Sequence, residues 1–179
     1  MGFSLNLRIS NASASAVEAL WDEVSAFEDS ASMRALDYPP HVTFAIYDTD
    51  EVSEELARSA IERAAIGEAE LRITFNRIRA FVGPPLVLWA VPEPQEPLTR
   101  MHKAIHAAID PVLCRPYYRP ASWTPHCTLG TRIRAERRDD AMAFAENFRG
   151  GVEVVFDLVD CMAFPPLRLT AEKRLASVA

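Results

Sequence analysis

The chain is short of cysteine, of positive charge and of uninterrupted hydrophobic sequence, and each shortage removes a class of protein. Its 3 cysteines, Cys114, Cys127 and Cys161, are odd in number and show no C-x-x-C spacing, which argues against a disulfide framework and against a zinc ribbon. They read as small buried hydrophobes. With 19 Lys and Arg against 25 Asp and Glu, the formal charge is −6. Wrapping a long nucleic-acid duplex needs a basic stripe, so no such partner is expected, whereas a small or terminal phosphate needs only a few local cations. No apolar run approaches the roughly 20 residues that cross a bilayer. Residues Met1 to Arg8 lack a basic block followed by an apolar one, and Asn6 stands where a myristoylation signal wants Ser or Thr. No membrane partner is expected, and cytoplasmic residence follows by default. A chain of 179 residues, 49% of them hydrophobic, suffices for one domain or two intimately packed lobes with a sizeable core, expected to act as a monomer.

What is present is a pattern that occurs twice. Phe3, Leu5, Leu7 and Ile9 alternate as in a strand with one buried face, and Val17, Leu20, Trp21, Val24 and Phe27 then recur at helical spacing. A strand is expected over His41 to Tyr47, a helix over Asp50 to Gly67, and a strand over Leu71 to Val82. After Gly83-Pro84-Pro85 comes a strand from Leu86 to Val91, a helix bearing Leu98, Met101, Ile105 and Ile109, a loop from Pro111 to Pro125, and a strand from His126 to Ile133. A helix from about Ala135 to Phe148 precedes strands near Val152 to Phe164 and Leu169 to Ser177. Each half, about 1–83 and 84–179, thus reads strand, helix, strand, helix, strand.

Each half also carries one copy of a short phrase, Tyr38-Pro39-Pro40-His41-Val42-Thr43-Phe44 and Trp123-Thr124-Pro125-His126-Cys127-Thr128-Leu129. Residues two apart on a strand share a face, so His41 pairs with Thr43 and His126 with Thr128. If the halves pack with approximate two-fold symmetry, two imidazoles flank one groove. An imidazole titrates near 6.5, so one ring can act as base while the other acts as acid, and two Thr hydroxyls can donate to phosphate oxygens. Phosphodiester cleavage needs an acid and a base, and this scheme requires no metal or other cofactor. A single His-x-Thr is weak evidence; two copies with matching proline and aromatic neighbours are less easily accidental.

Arg132 shares the parity of His126 and Thr128 and is a candidate phosphate ligand. Arg115 and Tyr118, in the loop before the second phrase, mix cation and aromatic as nucleotide-binding loops do. Tyr38 and Trp123 read first as packing residues, with base stacking an open second role. His102 and His106 lack a third ligand at zinc spacing and read as the flank of an amphipathic helix, and Cys127 as a core residue.

With one Pro-His-x-Thr at the start of a strand in each half, the chain resembles the two-histidine (2H) phosphoesterase superfamily, which includes bacterial 2'-5' RNA ligase-like proteins and cyclic nucleotide phosphodiesterases. The resemblance implies an α+β bilobal, pseudo-two-fold fold, with two antiparallel sheets lining a central groove and helices outside. It implies His41 and His126 as the acid–base pair and Thr43 and Thr128 as the phosphate-contacting hydroxyls. The substrate it implies is a small cyclic phosphate or an RNA terminus: a 2',3'-cyclic nucleotide, ADP-ribose 1'',2''-cyclic phosphate or a 2'-5' linkage. A noncatalytic nucleotide- or RNA-binding module and a reversible 2'-5' RNA ligase remain the alternatives.

Overall fold

The computed structural model describes residues 1–177; Val178 and Ala179 lie outside the described residues. Strands β1 (Gly2–Arg8), β2 (His41–Tyr47), β3 (Leu71–Phe81), β4 (Leu86–Glu93), β5 (Cys127–Ile133), β6 (Val152–Phe156), β7 (Leu158–Phe164) and β8 (Arg168–Arg174) alternate with helices α1 (Ala14–Ser25), α2 (Ser32–Ala35), α3 (Glu54–Ala65), α4 (Glu96–Ala108) and α5 (Arg138–Asn147). Helix α2, a single turn inside the polar stretch before Tyr38, has no counterpart in the sequence pattern.

The strands form one sheet in the order β6-β3-β4-β5-β2-β1-β7-β8, and every pairing is antiparallel. The two expected sheets are halves of this one, joined where β2 meets β5 through the pair Val42 and Cys127. Those halves are not the sequence halves. Strand β3 precedes residue 83 yet pairs with β4 and β6, and β7 returns to β1. Only Asp157 separates β6 from β7, so the sheet curls until its far edges approach. There Glu70 donates its N–H to the Ala176 carbonyl at 2.9 Å.

Alternation explains which side is which. On β1, Phe3, Leu5 and Leu7 turn inward to the core, while Ser4 and Asn6 line an open groove. The helices cover the apolar face and exchange between halves. Helix α1, which follows β1, packs on β5 and β6, while α4, which follows β4, packs on β2 and on α3. This exchange leaves β2 and β5 side by side at the centre with their polar faces open. The close fit of α1 requires Gly130: a Cβ there would lie 2.6 Å from Val24 Cγ1 and 3.0 Å from Glu28 Oε1.

Candidate active site

Each histidine is placed by the rigid backbone just ahead of its strand. Nδ1 of His41 lies 2.8 Å from the Pro39 carbonyl, and Nδ1 of His126 lies 2.7 Å from the Thr124 carbonyl. A carbonyl only accepts, so each Nδ1 carries the proton and donates it, leaving Nε2 as the free nitrogen of both rings. The prolines between donor and acceptor, Pro40 and Pro125, hold the extended backbone that makes these contacts. A second matched pair supports the strands themselves: Trp123 Nε1 donates to the Thr43 carbonyl and Trp21 Nε1 to the Thr128 carbonyl, both at 3.0 Å.

His41, Thr43, His126 and Thr128 line one groove of about 260 Å³. Burial pushes the His41 imidazole down to about 4, against the Pro39 bond that favours its charged form, and His126 lowers it further by charge repulsion. Burial likewise lowers His126, opposed by the bond to Thr124. Both rings are therefore neutral near pH 7. An incoming phosphate anion favours protonation of a ring beside it.

Around this symmetric pair the surroundings differ. Behind β2 lies the fully buried Asp160, which accepts from Tyr38 Oη at 2.6 Å, from Arg8 Nε at 2.6 Å and from Asn6 Nδ2 at 3.2 Å. Burial raises the Asp160 carboxyl, and Tyr38, Asn6 and Arg8 oppose that rise. With its amide group turned to Asp160, Asn6 presents Oδ1 to Thr43, whose hydroxyl donates to it at 2.9 Å. The Thr43 proton is thus already engaged, whereas the Thr128 hydroxyl has no protein partner among the described residues. Beside His126 stand Phe81 and Trp89, stacked with centroids 5.0 Å apart, and both meet the imidazole edge-on.

Of the other residues singled out in the sequence, the structure brings two to the groove and one to the chamber beside it, and excludes two. Tyr38 lines it with its ring edge against His41, but its hydroxyl is taken by Asp160. Tyr118 borders the groove and the adjoining chamber, and Arg115 borders the chamber, in a two-pronged ion pair with Asp48. Trp123 lies outside; its ring stacks on His102 at 4.0 Å. Arg132 also lies outside, its nearest side-chain partner being Ser30. The reason is a change of register: Trp89 pairs with Thr128 but Leu88 with Gly130 and Leu86 with Ile133. The extra residues in β5 reverse the parity, turn Gly130 to α1 and bring Thr131 instead into the groove. His102 and His106 are buried and both approach the Tyr118 carbonyl through Nε2, at 2.8 and 3.0 Å. They anchor the loop that brings Tyr118 to the groove.

The sequence reading missed Ser4, Asn6, Thr131, Phe81 and Asp160. Ser4 and Asn6 were legible as the polar positions of an alternating strand. Thr131 was hidden by the bulge, and Asp160 by its place on a strand that reads as core.

Residues 13–162 match the family described as the 2'-5' RNA ligase superfamily. No curated protein matches the chain in sequence. Among solved structures, TT0787 of Thermus thermophilus is 17% identical with a TM-score of 0.67, covering 99% of each chain. E. coli LigT complexed with 3'-AMP is 14% identical with a TM-score of 0.61, covering 97% of each. Kluyveromyces marxianus Usb1 with uridine monophosphate is 11% identical with a TM-score of 0.52, covering 94% of this chain and 96% of that one. At these identities the likeness is one of fold.

Proposed function

The chain belongs to the 2'-5' RNA ligase superfamily, among the two-histidine phosphoesterases, and on that footing we propose that it hydrolyses a cyclic phosphodiester by general acid–base catalysis between His41 and His126. What carries this reading is the matched anchoring of the two rings. Each donates Nδ1–H to the carbonyl two residues before it and keeps Nε2 free on a common groove. One Nε2 takes a proton from water as the water oxygen bonds to phosphorus. The bond from phosphorus to one ring ester oxygen breaks, its electron pair stays on that oxygen, and the other imidazole, protonated, supplies the proton. The product is a phosphate monoester with a freed hydroxyl. Thr128, whose hydroxyl is uncommitted, donates to a non-bridging oxygen as charge builds there. Thr43 keeps its proton on Asn6 and shapes the groove beside His41. The LigT complex with 3'-AMP and the Usb1 complex with uridine monophosphate support a nucleotide-sized ligand. Ligation, which the family's description also covers, would use the same proton transfers with a ribose hydroxyl of a second chain in place of water.

Hydrolysis of 2',3'-cyclic nucleotides and ADP-ribose 1'',2''-cyclic phosphate, assayed with excess chelator, tests the reading. The parent protein is expected to be active with a bell-shaped pH dependence, and His41→Ala or His126→Ala to lose roughly 10²–10⁴-fold in kcat. Full activity in His126→Ala, or binding without turnover across the panel, refutes it.

A further inference from the structure

Beyond the central groove, past His126, opens a second chamber of about 680 Å³ that shares His126, Thr128 and Thr131 with it. That is the size of a small-molecule site, and it is more than twice the groove's own volume. Its walls are apolar and aromatic. Phe81, Val82 and Val87 come from the β3–β4 hairpin, and Tyr117 and Tyr118 from the loop that His102 and His106 hold. Tyr117 is 84% exposed and Val82 71% exposed, a surface with no packing role in the fold that is suited to cover an aromatic ligand.

The second observation concerns charge. Among the described residues, no Lys or Arg lines the central groove, and the chamber's only cation is Arg115, which Asp48 already neutralises. The chain as a whole carries −6. A ligand with several phosphates would enter a cleft that offers no countercharge, and an RNA backbone would find no line of cations to follow.

We propose that the substrate is the cyclic phosphodiester of a single nucleoside bearing no further phosphate, with its base in the chamber beyond His126, and that polyanionic esters are rejected. This rests on the hydrolytic reading above and narrows it. The seating also sets the direction of the chemistry. The leaving oxygen belongs to the ribose, which lies on the chamber side, so His126 protonates it and His41 deprotonates the attacking water.

The test compares adenosine 2',3'-cyclic phosphate with its 5'-phosphorylated form and with a dinucleotide ending in the same cyclic phosphate, at low and high salt. The first is expected to have a kcat/KM about tenfold or more above the others and little salt dependence, and Tyr117→Ala and Phe81→Ala to raise its KM about tenfold with kcat kept. An aryl phosphodiester, whose leaving group needs no protonation, is expected to restore turnover to His126→Ala but not to His41→Ala. Preference for either polyanion, a steep fall with salt, or rescue of His41→Ala alone overturns the proposal. Equilibrium binding of adenosine 2'-monophosphate against adenosine 2',5'-bisphosphate to the unaltered protein separates the two readings. Tighter monophosphate binding with no turnover of any ester leaves the seating of the nucleoside and the rejection of polyanions standing and removes the hydrolytic reading with the roles given to His41 and His126, while tighter bisphosphate binding, or no binding of either, overturns this inference.

Discussion

At the scale of single residues, the two His-x-Thr copies are equal in sequence and unequal in surroundings. Asp160 makes the difference. Its carboxylate holds the amide of Asn6, the hydroxyl of Tyr38 and the guanidinium of Arg8, and through Asn6 it decides where the Thr43 proton points. Replacing Asp160 by Ala leaves the Tyr38 hydroxyl without its acceptor, Arg8 with Glu172 alone and Asn6 with Ser4 alone, a loss of about 1–3 kcal/mol. Chemical unfolding of Asp160→Ala measures this, and a loss under about 1 kcal/mol would show that the network carries little stability. The two histidines and their threonines could be read from the sequence because they recur. Asp160 could not, since its three partners lie on β1, between α2 and β2, and nowhere near it in the chain.

At the scale of elements, most strands and helices follow from alternation and helical spacing, and their ends fall within a few residues of the expected ones. Ser53 shows why: its side chain accepts from the Leu56 N–H and starts α3 with Glu54 and Glu55 in the first turn. The exception with functional weight is β5. Strict alternation puts Arg132 beside His126, and the bulges after Thr128 put Thr131 there and Gly130 against α1. A bulge is a response to the neighbouring strand and to the helix above it, so local pattern does not announce it. The expected consequence is that Gly130→Ala, with its Cβ forced into Val24 and Glu28, destabilises the fold by about 1–3 kcal/mol. A thermal melt reads it directly, and an unchanged midpoint would mean that α1 is free to move off β5. Glu28 is part of the same seam. Its buried carboxylate accepts the N–H groups of Ser32, Thr131 and Arg132 and the Ser32 hydroxyl, fastening the turn after α1 to the bulge that shapes the site.

At the scale of the whole molecule, all four histidines are held neutral by burial. His41 and His102 are each pushed down to about 4, and His106 and His126 are lowered as well. A group whose folded pKa is depressed takes up its proton more readily when unfolded. Stability therefore falls as pH drops from about 6.5 toward about 4, and is insensitive to these rings above that window. For His41 the shift amounts to at most roughly 3 kcal/mol, reached in full only below about pH 4, and for His102 to less. Asp160, raised by burial, works in the opposite sense, and the paired carboxylates of Asp48 and Asp157, held below their ordinary value, add their losses only at lower pH. The unfolding midpoint is expected to fall steadily between neutral pH and about pH 5. A midpoint that stays flat over that range would mean that the rings are solvated. Such a slope also separates loss of fold from loss of protonation state when the acid limb of the rate profile is measured.

The sequence alone determined the alternation that makes the strands, the helical stripes that cover them and the repeated Pro-His-x-Thr phrase that marks the chemistry, because these depend on neighbours a few positions away. Tertiary structure decided which strands stand together, with β3 drawn into the half that follows it and β7 and β8 returned to the half that began the chain. It likewise decided that Thr131, not Arg132, faces the groove, and that the two equal histidines look onto unequal walls, polar behind His41 and aromatic beside His126. Those outcomes depend on curl, register and burial, which arise only when segments distant in the chain meet.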